Sequence, residues 1–143
     1  MIRTVLVAAG LAVGMTAVLA QADPIAARRD AMKAVGAATR DGAAIAKEQT
    51  PFDAAKAQAI FKVYADAAKA MPEFYPETAK MGGETTASPK IWEDKAGFQA
   101  AFARLGEAAA KGAAVTDLAS FRTAFGEATK NCSSCHETYR IKR

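Results

Sequence analysis

Apolar residues recur three and four positions apart along most of the chain, and the rhythm is clearest near its end. Leu118, Phe121, Phe125, Ala128, Cys132, Cys135 and Tyr139 fall on one stripe of a single helix. Ile91, Phe98, Phe102, Leu105 and Ala109 make a second stripe, interrupted by Lys95. A third stripe runs through Ile25, Arg28, Met32, Val35 and Thr39 and carries two polar members. A fourth is marked most clearly by Ile60, Val63 and Ala67. Stripes with this spacing pack helices at small crossing angles.

Start signals bound the elements. Asp23-Pro24, Thr50-Pro51 and Ser88-Pro89 each pair a capping side chain with a proline suited to the first helical position, and Thr116 or Asp117 opens the last helix. Asp53, Glu93 and Asp94 fall in first turns, where negative charge suits the helix dipole. The spacing predicts helix A over 24–47, B over 51–71, C over 89–111 and D over 117–141. Four helices in one small domain give an all-α fold, an antiparallel four-helix bundle with short A–B and C–D connections. The B–C connection, "PEFYPETAKMGGETTA", is long and is read as an ordered crossover loop.

The N-terminal segment stands apart. Arg3, an uncharged apolar run from Val5 to Ala20, and Ala20-Gln21-Ala22 form a secretory signal peptide over 1–22, leaving a single domain over 23–143. No other stretch is apolar enough for a membrane span, so an exported, periplasmic protein is expected. The full chain carries a formal charge of +4, too weakly basic to argue for nucleic acid.

Composition sharpens the picture at one point. Both cysteines and the only histidine lie in "KNCSSCHETYR", as Cys132, Cys135 and His136. Cys-x-x-Cys-His is the signature of covalent c-type haem attachment. On a helix the two thiols lie one turn apart on one side, where they reach two vinyl groups on one porphyrin edge, and His136 follows on the neighbouring stripe to meet the iron. Zinc would need four ligands, more than these three residues supply. A thioredoxin-like pair belongs in an α/β fold, and a disulfide across two residues would stabilise little. One haem c, held through Cys132 and Cys135, is the reading that remains.

The motif lies close to the C-terminus, and no methionine follows it. With the four-helix pattern, the terminal "CSSCHETYR" and the early "ARRDAMKAVG", the chain from residue 23 onward resembles class II cytochromes c, the cytochrome c′ family. The resemblance implies a haem-facing side chain at Met32 on the distal side of the iron. It puts Arg28 near a haem propionate, and Arg140 near the outer imidazole nitrogen of His136. "MKAVG" and "SPKIWEDKAGF" resemble the low-spin branch of the family, in which a helix A methionine is the sixth ligand and the protein carries electrons. The alternative is a high-spin, five-coordinate protein that binds nitric oxide or carbon monoxide. On spacing alone Met32 reads as a core gap-filler, and Met71 and Met81 are further thioether donors. Arg28 and Met32, four apart, share one face.

The expected partners are periplasmic redox proteins, with the chain a monomer or homodimer. No enzymatic role is expected, because peroxide chemistry needs a distal acid–base group and the sole histidine is committed to the iron. The haem is expected at the centre of the core, lined by Phe121, Phe125, Tyr139, Val35 and Trp92.

Overall fold

The computed structural model describes residues 23–142; the expected signal segment lies outside them. Among the described residues five α-helices form the framework: α1 (Pro24–Ala46), α2 (Ala54–Ala70), α3 (Lys90–Glu93), α4 (Lys95–Gly112) and α5 (Leu118–Tyr139). The four long ones form the expected antiparallel bundle. Among the described residues no helix is long and apolar enough to cross a membrane.

Carboxylates start all four long helices. Asp23 accepts from the Ile25 amide at 2.9 Å, with Pro24 in the first turn. Asp117 accepts from the Ser120 amide at 2.9 Å and forms a reciprocal capping box with Ser120. The two remaining starts differ from expectation. Pro51 lies in the connection after α1, and α2 is capped by Asp53, whose Oδ1 takes the Lys56 amide at 2.8 Å. Ser88-Pro89 opens only the single turn of α3. The chain then breaks at Asp94 (φ −131°, ψ 62°), and the Asp94 carboxylate caps a new helix by accepting from the Gly97 amide at 3.0 Å. Predicted helix C is therefore two helices. Lys95, the odd member of its stripe, is exposed at the start of α4 and pairs with Glu77 at 2.7 Å.

The bundle holds two aromatic clusters. At one end Phe61 packs edge-on against Tyr64 and Phe121, at 6.0 and 5.8 Å between centroids, and Phe121 stacks on Phe125 at 5.4 Å. Two glycines permit this packing. A Cβ at Gly112 would strike the Phe61 ring, and one at Gly42 would strike Phe125, so helix backbone approaches each ring directly. Helix α2 turns Phe61 and Tyr64 fully inward, while Val63 from its predicted stripe is only half-buried. At the other end Phe98 contacts Tyr75, Phe102 and Tyr139, at 4.7, 5.1 and 5.3 Å.

The long crossover is ordered by specific bonds. Two short 3-10 turns, Met71–Phe74 and Glu77–Ala79, are followed by Gly82 and Gly83, which take the positive φ values (101° and 57°) that side chains disfavour. Beyond them the loop pairs with the segment after α5. The Ile141 amide donates to Thr86 O at 2.8 Å, and the Ser88 amide donates to Tyr139 O at 3.0 Å.

Candidate functional site

A cavity of about 630 Å³ opens between α1, α4, α5 and the crossover loop. Helix periodicity places its contributors. From α5 come Thr129, Cys132, Cys135, His136 and Tyr139; from α1, Met32, Val35, Gly36 and Thr39; from α4, Phe98, Phe102 and Leu105. Tyr75 and Ala87 enter from the loop, and Met71 from the end of α2. The wall is mostly apolar, and the size falls within the roughly 300–1,000 Å³ common to ligand sites.

Cys132 and Cys135 are free, half-buried thiols, and burial pushes both above their ordinary pKa, Cys135 also through its neighbour Cys132. His136 keeps much of its surface in solvent, yet the protein behind its ring lowers its pKa, and Arg140 adds a like-charge effect in the same direction. Tyr64 is fully buried under the site, its hydroxyl 2.9 Å from Thr39 Oγ1. Thr39 donates to the Val35 carbonyl at 2.8 Å, so Tyr64 is the donor in that pair. Burial pushes the phenols of Tyr64 and Tyr75 up to about 12, so both are neutral donors at physiological pH.

Met32, Cys132, Cys135, His136 and Arg140 thus share one cavity. Arg28 has other partners. It is 4% exposed, and its guanidinium donates to Phe74 O at 3.4 Å, Ala79 O at 3.1 Å and Thr85 Oγ1 at 2.8 Å, with Tyr75 beneath it at 4.8 Å. It pins the crossover loop and is not among the cavity-lining residues. The loop carbonyls and the Tyr75 face compensate its burial. The charged residues of the lining are Lys33 and Arg140, both cations.

The proposed haem lining is corrected in part. Val35 and Tyr139 line the cavity, but Phe121 and Phe125 are buried outside it, in the cluster two to three helical turns toward the start of α5. Trp92 also lies outside, donating its indole N–H to Tyr75 O at 3.1 Å. Tyr75 and Lys33 were not singled out from the sequence. The signal for Tyr75 was an aromatic pair, Phe74-Tyr75, inside an otherwise polar loop. Of the other thioethers, Met81 is 86% exposed on the loop, whereas Met71 is 1% exposed and borders the cavity.

A haem fits this wall. The lining offers an apolar slot, two thiols one turn apart on a single face, an imidazole beside them, a thioether on α1 and two cations for its carboxylates. Comparison with known proteins points the same way. The sequence profile of the cytochrome c′ family matches residues 23–140. A cytochrome c′ of Rhodopseudomonas palustris is 42% identical over 137 residues, 94% of each chain. A cytochrome c-556 of the same organism is 34% identical over 148 residues, 99% of each chain. A solved structure of the Rhodopseudomonas palustris cytochrome c′ superposes with a TM-score of 0.81, covering 86% of this chain and 99% of that one.

Proposed function

Because the chain belongs to the cytochrome c′ family, with Cys132 and Cys135 the attachment points of its covalent haem c, we propose that it is a periplasmic electron carrier with His136 and Met32 as axial ligands. Bound haem supplies a one-electron iron couple, and a His/Met ligand pair favours a high potential. The observation that carries this reading is the presence of Met32 and His136, from α1 and α5, on the wall of one cavity. Of the α1 residues there, Val35 and Gly36 offer no donor, Lys33 is a cation, and the Thr39 hydroxyl is held by Val35 and Tyr64. Met32 is the soft donor of that helix.

The remaining residues serve this role by holding the site still and dry. Phe98, Phe102 and Leu105 exclude water from one side, and Tyr75, pinned beneath Arg28, closes the loop side. A wall that moves little between oxidation states keeps reorganisation small. The signal peptide over 1–22 delivers the chain to the periplasm. The reading includes no catalytic step, and peroxide turnover no faster than that of free haem is expected.

The second reading is the five-coordinate protein that binds nitric oxide or carbon monoxide. It is favoured by the identity of the 42% relative, a cytochrome c′. A visible spectrum of the purified holoprotein in both oxidation states decides between them. Low-spin bands in both states support the electron carrier; a high-spin ferrous spectrum that shifts freely with carbon monoxide replaces it with the gas-binding reading.

A further inference from the structure

Most hydroxyls on the cavity wall are already committed to protein acceptors. Thr39 donates to Val35 O at 2.8 Å, Thr129 to Phe125 O at 2.9 Å, Ser133 to Thr129 O at 3.3 Å and Tyr139 to Asp94 Oδ2 at 2.9 Å. Two others, those of Tyr75 and Thr86 on the crossover loop, make no hydrogen bond among the described residues. No buried side-chain nitrogen or oxygen among those residues lacks a partner, so neither hydroxyl is sealed inside protein. Each meets open space, and the cavity is the space that both residues border. Thr86 carries its oxygen close to the backbone. Tyr75 carries its own at the far end of a ring fixed on several sides, by Phe98 at 4.7 Å, Trp92 at 6.0 Å and the Arg28 guanidinium over its face at 4.8 Å. The phenol is a donor held at a set point of an apolar wall.

A run of contacts places this donor at one end of the cavity. Arg28 lies over Tyr75 and donates to Thr85 Oγ1 at 2.8 Å. The Ala87 amide donates to the same oxygen at 3.1 Å, and Ala87 pairs with Arg140 in a single β-bridge. Tyr75, Ala87 and Arg140 all line the cavity. Haem brings an apolar ring and two carboxylates, and the carboxylates are its hydrogen-bond acceptors. A carboxylate at this end has Tyr75 as its neutral donor and Arg140 as its cation. Arg28 does not line the cavity, and its two terminal nitrogens are spent on Phe74 O, Ala79 O and Thr85 Oγ1.

We propose that Tyr75 anchors one carboxylate of the haem by donating its hydroxyl to it, in the place that the family resemblance gives to Arg28. Arg28 then acts one step removed, as a positioning residue that holds the ring of the donor. Burial keeps Tyr75 neutral, its pKa pushed up to about 12, so it donates throughout the range in which a carboxylate is charged. A hydrogen bond from a neutral phenol favours the ionised carboxylate without adding charge beside the iron. The proposal requires the covalent haem and not the identity of the sixth ligand, so it holds for the electron carrier and the gas-binding protein alike.

Tyr75→Phe keeps the ring and its packing and removes only the donor. The reduction potential of the holoprotein, titrated against pH, reports ionisation of the haem carboxylates. Because the hydrogen bond favours the charged form, its loss should move the transition of one carboxylate up by about one pH unit. The other ionisable or charged groups of the wall, Lys33, His136, Tyr139 and Arg140, are the same in every protein compared. Tyr64→Phe deletes a buried phenol outside the wall and should leave the transition where it stands in the wild type. Hydrogen exchange over residues 74–88 should be unchanged in Tyr75→Phe. An unmoved transition in Tyr75→Phe overturns the proposal. So does an equal shift in Tyr64→Phe, or a shift accompanied by faster exchange across the loop, which would make Tyr75 a packing residue only. The visible spectrum of the same samples reports iron coordination separately. A high-spin spectrum with the Tyr75 effect intact would remove Met32 as ligand and leave the carboxylate anchor standing.

Discussion

Tyr139 donates its hydroxyl to Asp94 Oδ2 at 2.9 Å, joining the last turn of α5 to the first of α4. The other oxygen of the same carboxylate takes the Gly97 amide. One aspartate therefore breaks predicted helix C, caps the helix that follows, and holds the end of the helix bearing the attachment motif.

This pair sets a pH window. The Tyr139 hydrogen bond, then the Gly97 amide, hold the Asp94 pKa below its ordinary value. Its stabilising contribution is present above the ordinary carboxylate range and is lost as pH falls through the depressed folded value. Burial, then the Asp94 bond, raise the Tyr139 pKa, so the neutral phenol stabilises below about pH 10 and the benefit goes as pH rises through the raised value. Thermal melts against pH should show a plateau between these limits. Tyr139→Phe should lower the plateau and soften both edges; unchanged edges would assign them to other groups.

Met32 and Met71 separate ligand from core. Met32→Ala should turn the spectrum high-spin, open the site to carbon monoxide and lower the reduction potential. Met71→Ala should leave the spectrum low-spin and destabilise the fold by about 2–5 kcal/mol, the usual range for a buried methionine truncated to alanine. Reversed results would make Met71 the ligand.

Removing the attachment chemistry should unsettle the bundle. With Cys132 and Cys135 both replaced by Ala, the apolar cavity of about 630 Å³ loses the group that would fill it. Circular dichroism is expected to keep its helical far-UV signal while the melt broadens and shifts down. A sharp melt at the wild-type temperature would show that the helices pack fully without haem.

Gly112 and Gly126 differ in what a methyl would meet. Gly112→Ala forces the buried Phe61 ring aside and should cost about 1–3 kcal/mol in urea unfolding. At Gly126, on the exposed side of α5, nothing lies within 4 Å, so Gly126→Ala should stabilise by about 0.5–1 kcal/mol.

Arg28 and the crossover loop should respond together. Arg28→Leu keeps bulk but strands the Phe74 and Ala79 carbonyls. Hydrogen exchange should then quicken over residues 74–88 more than in α2 or α4. Uniform quickening would mean that Arg28 supports the whole bundle.

How much of this was legible varied with the range of the interaction. The attachment motif and the caps at Asp23 and Asp117 are local, and the sequence spacing of each carries its own geometry. At Thr50-Pro51 and Ser88-Pro89 the prolines suggested helix starts, but Asp53 and Asp94 supplied the better acceptors a few residues on. Phe61 and Tyr64 fall outside the Ile60, Val63 and Ala67 spacing of α2, although Ile60 and Ala67 are buried as expected, and the gap at Gly112 in α4 makes room for the Phe61 ring. The partners of Arg28 lie 46 to 57 residues away, beyond any local pattern.

The strand-like pairing of Thr86 and Ser88 with Tyr139 and Ile141 has a kinetic consequence. Helical hairpins such as α1–α2 close short loops and form early, in microseconds to milliseconds. This pairing closes a loop of about fifty residues, so its closure entropy falls due only after α4 and α5 have met. The segment after α5 is therefore the last part of the bundle to settle. In a growing or translocating polypeptide, α5 and the segment after it also follow the rest of the bundle, which leaves the slot open until they arrive.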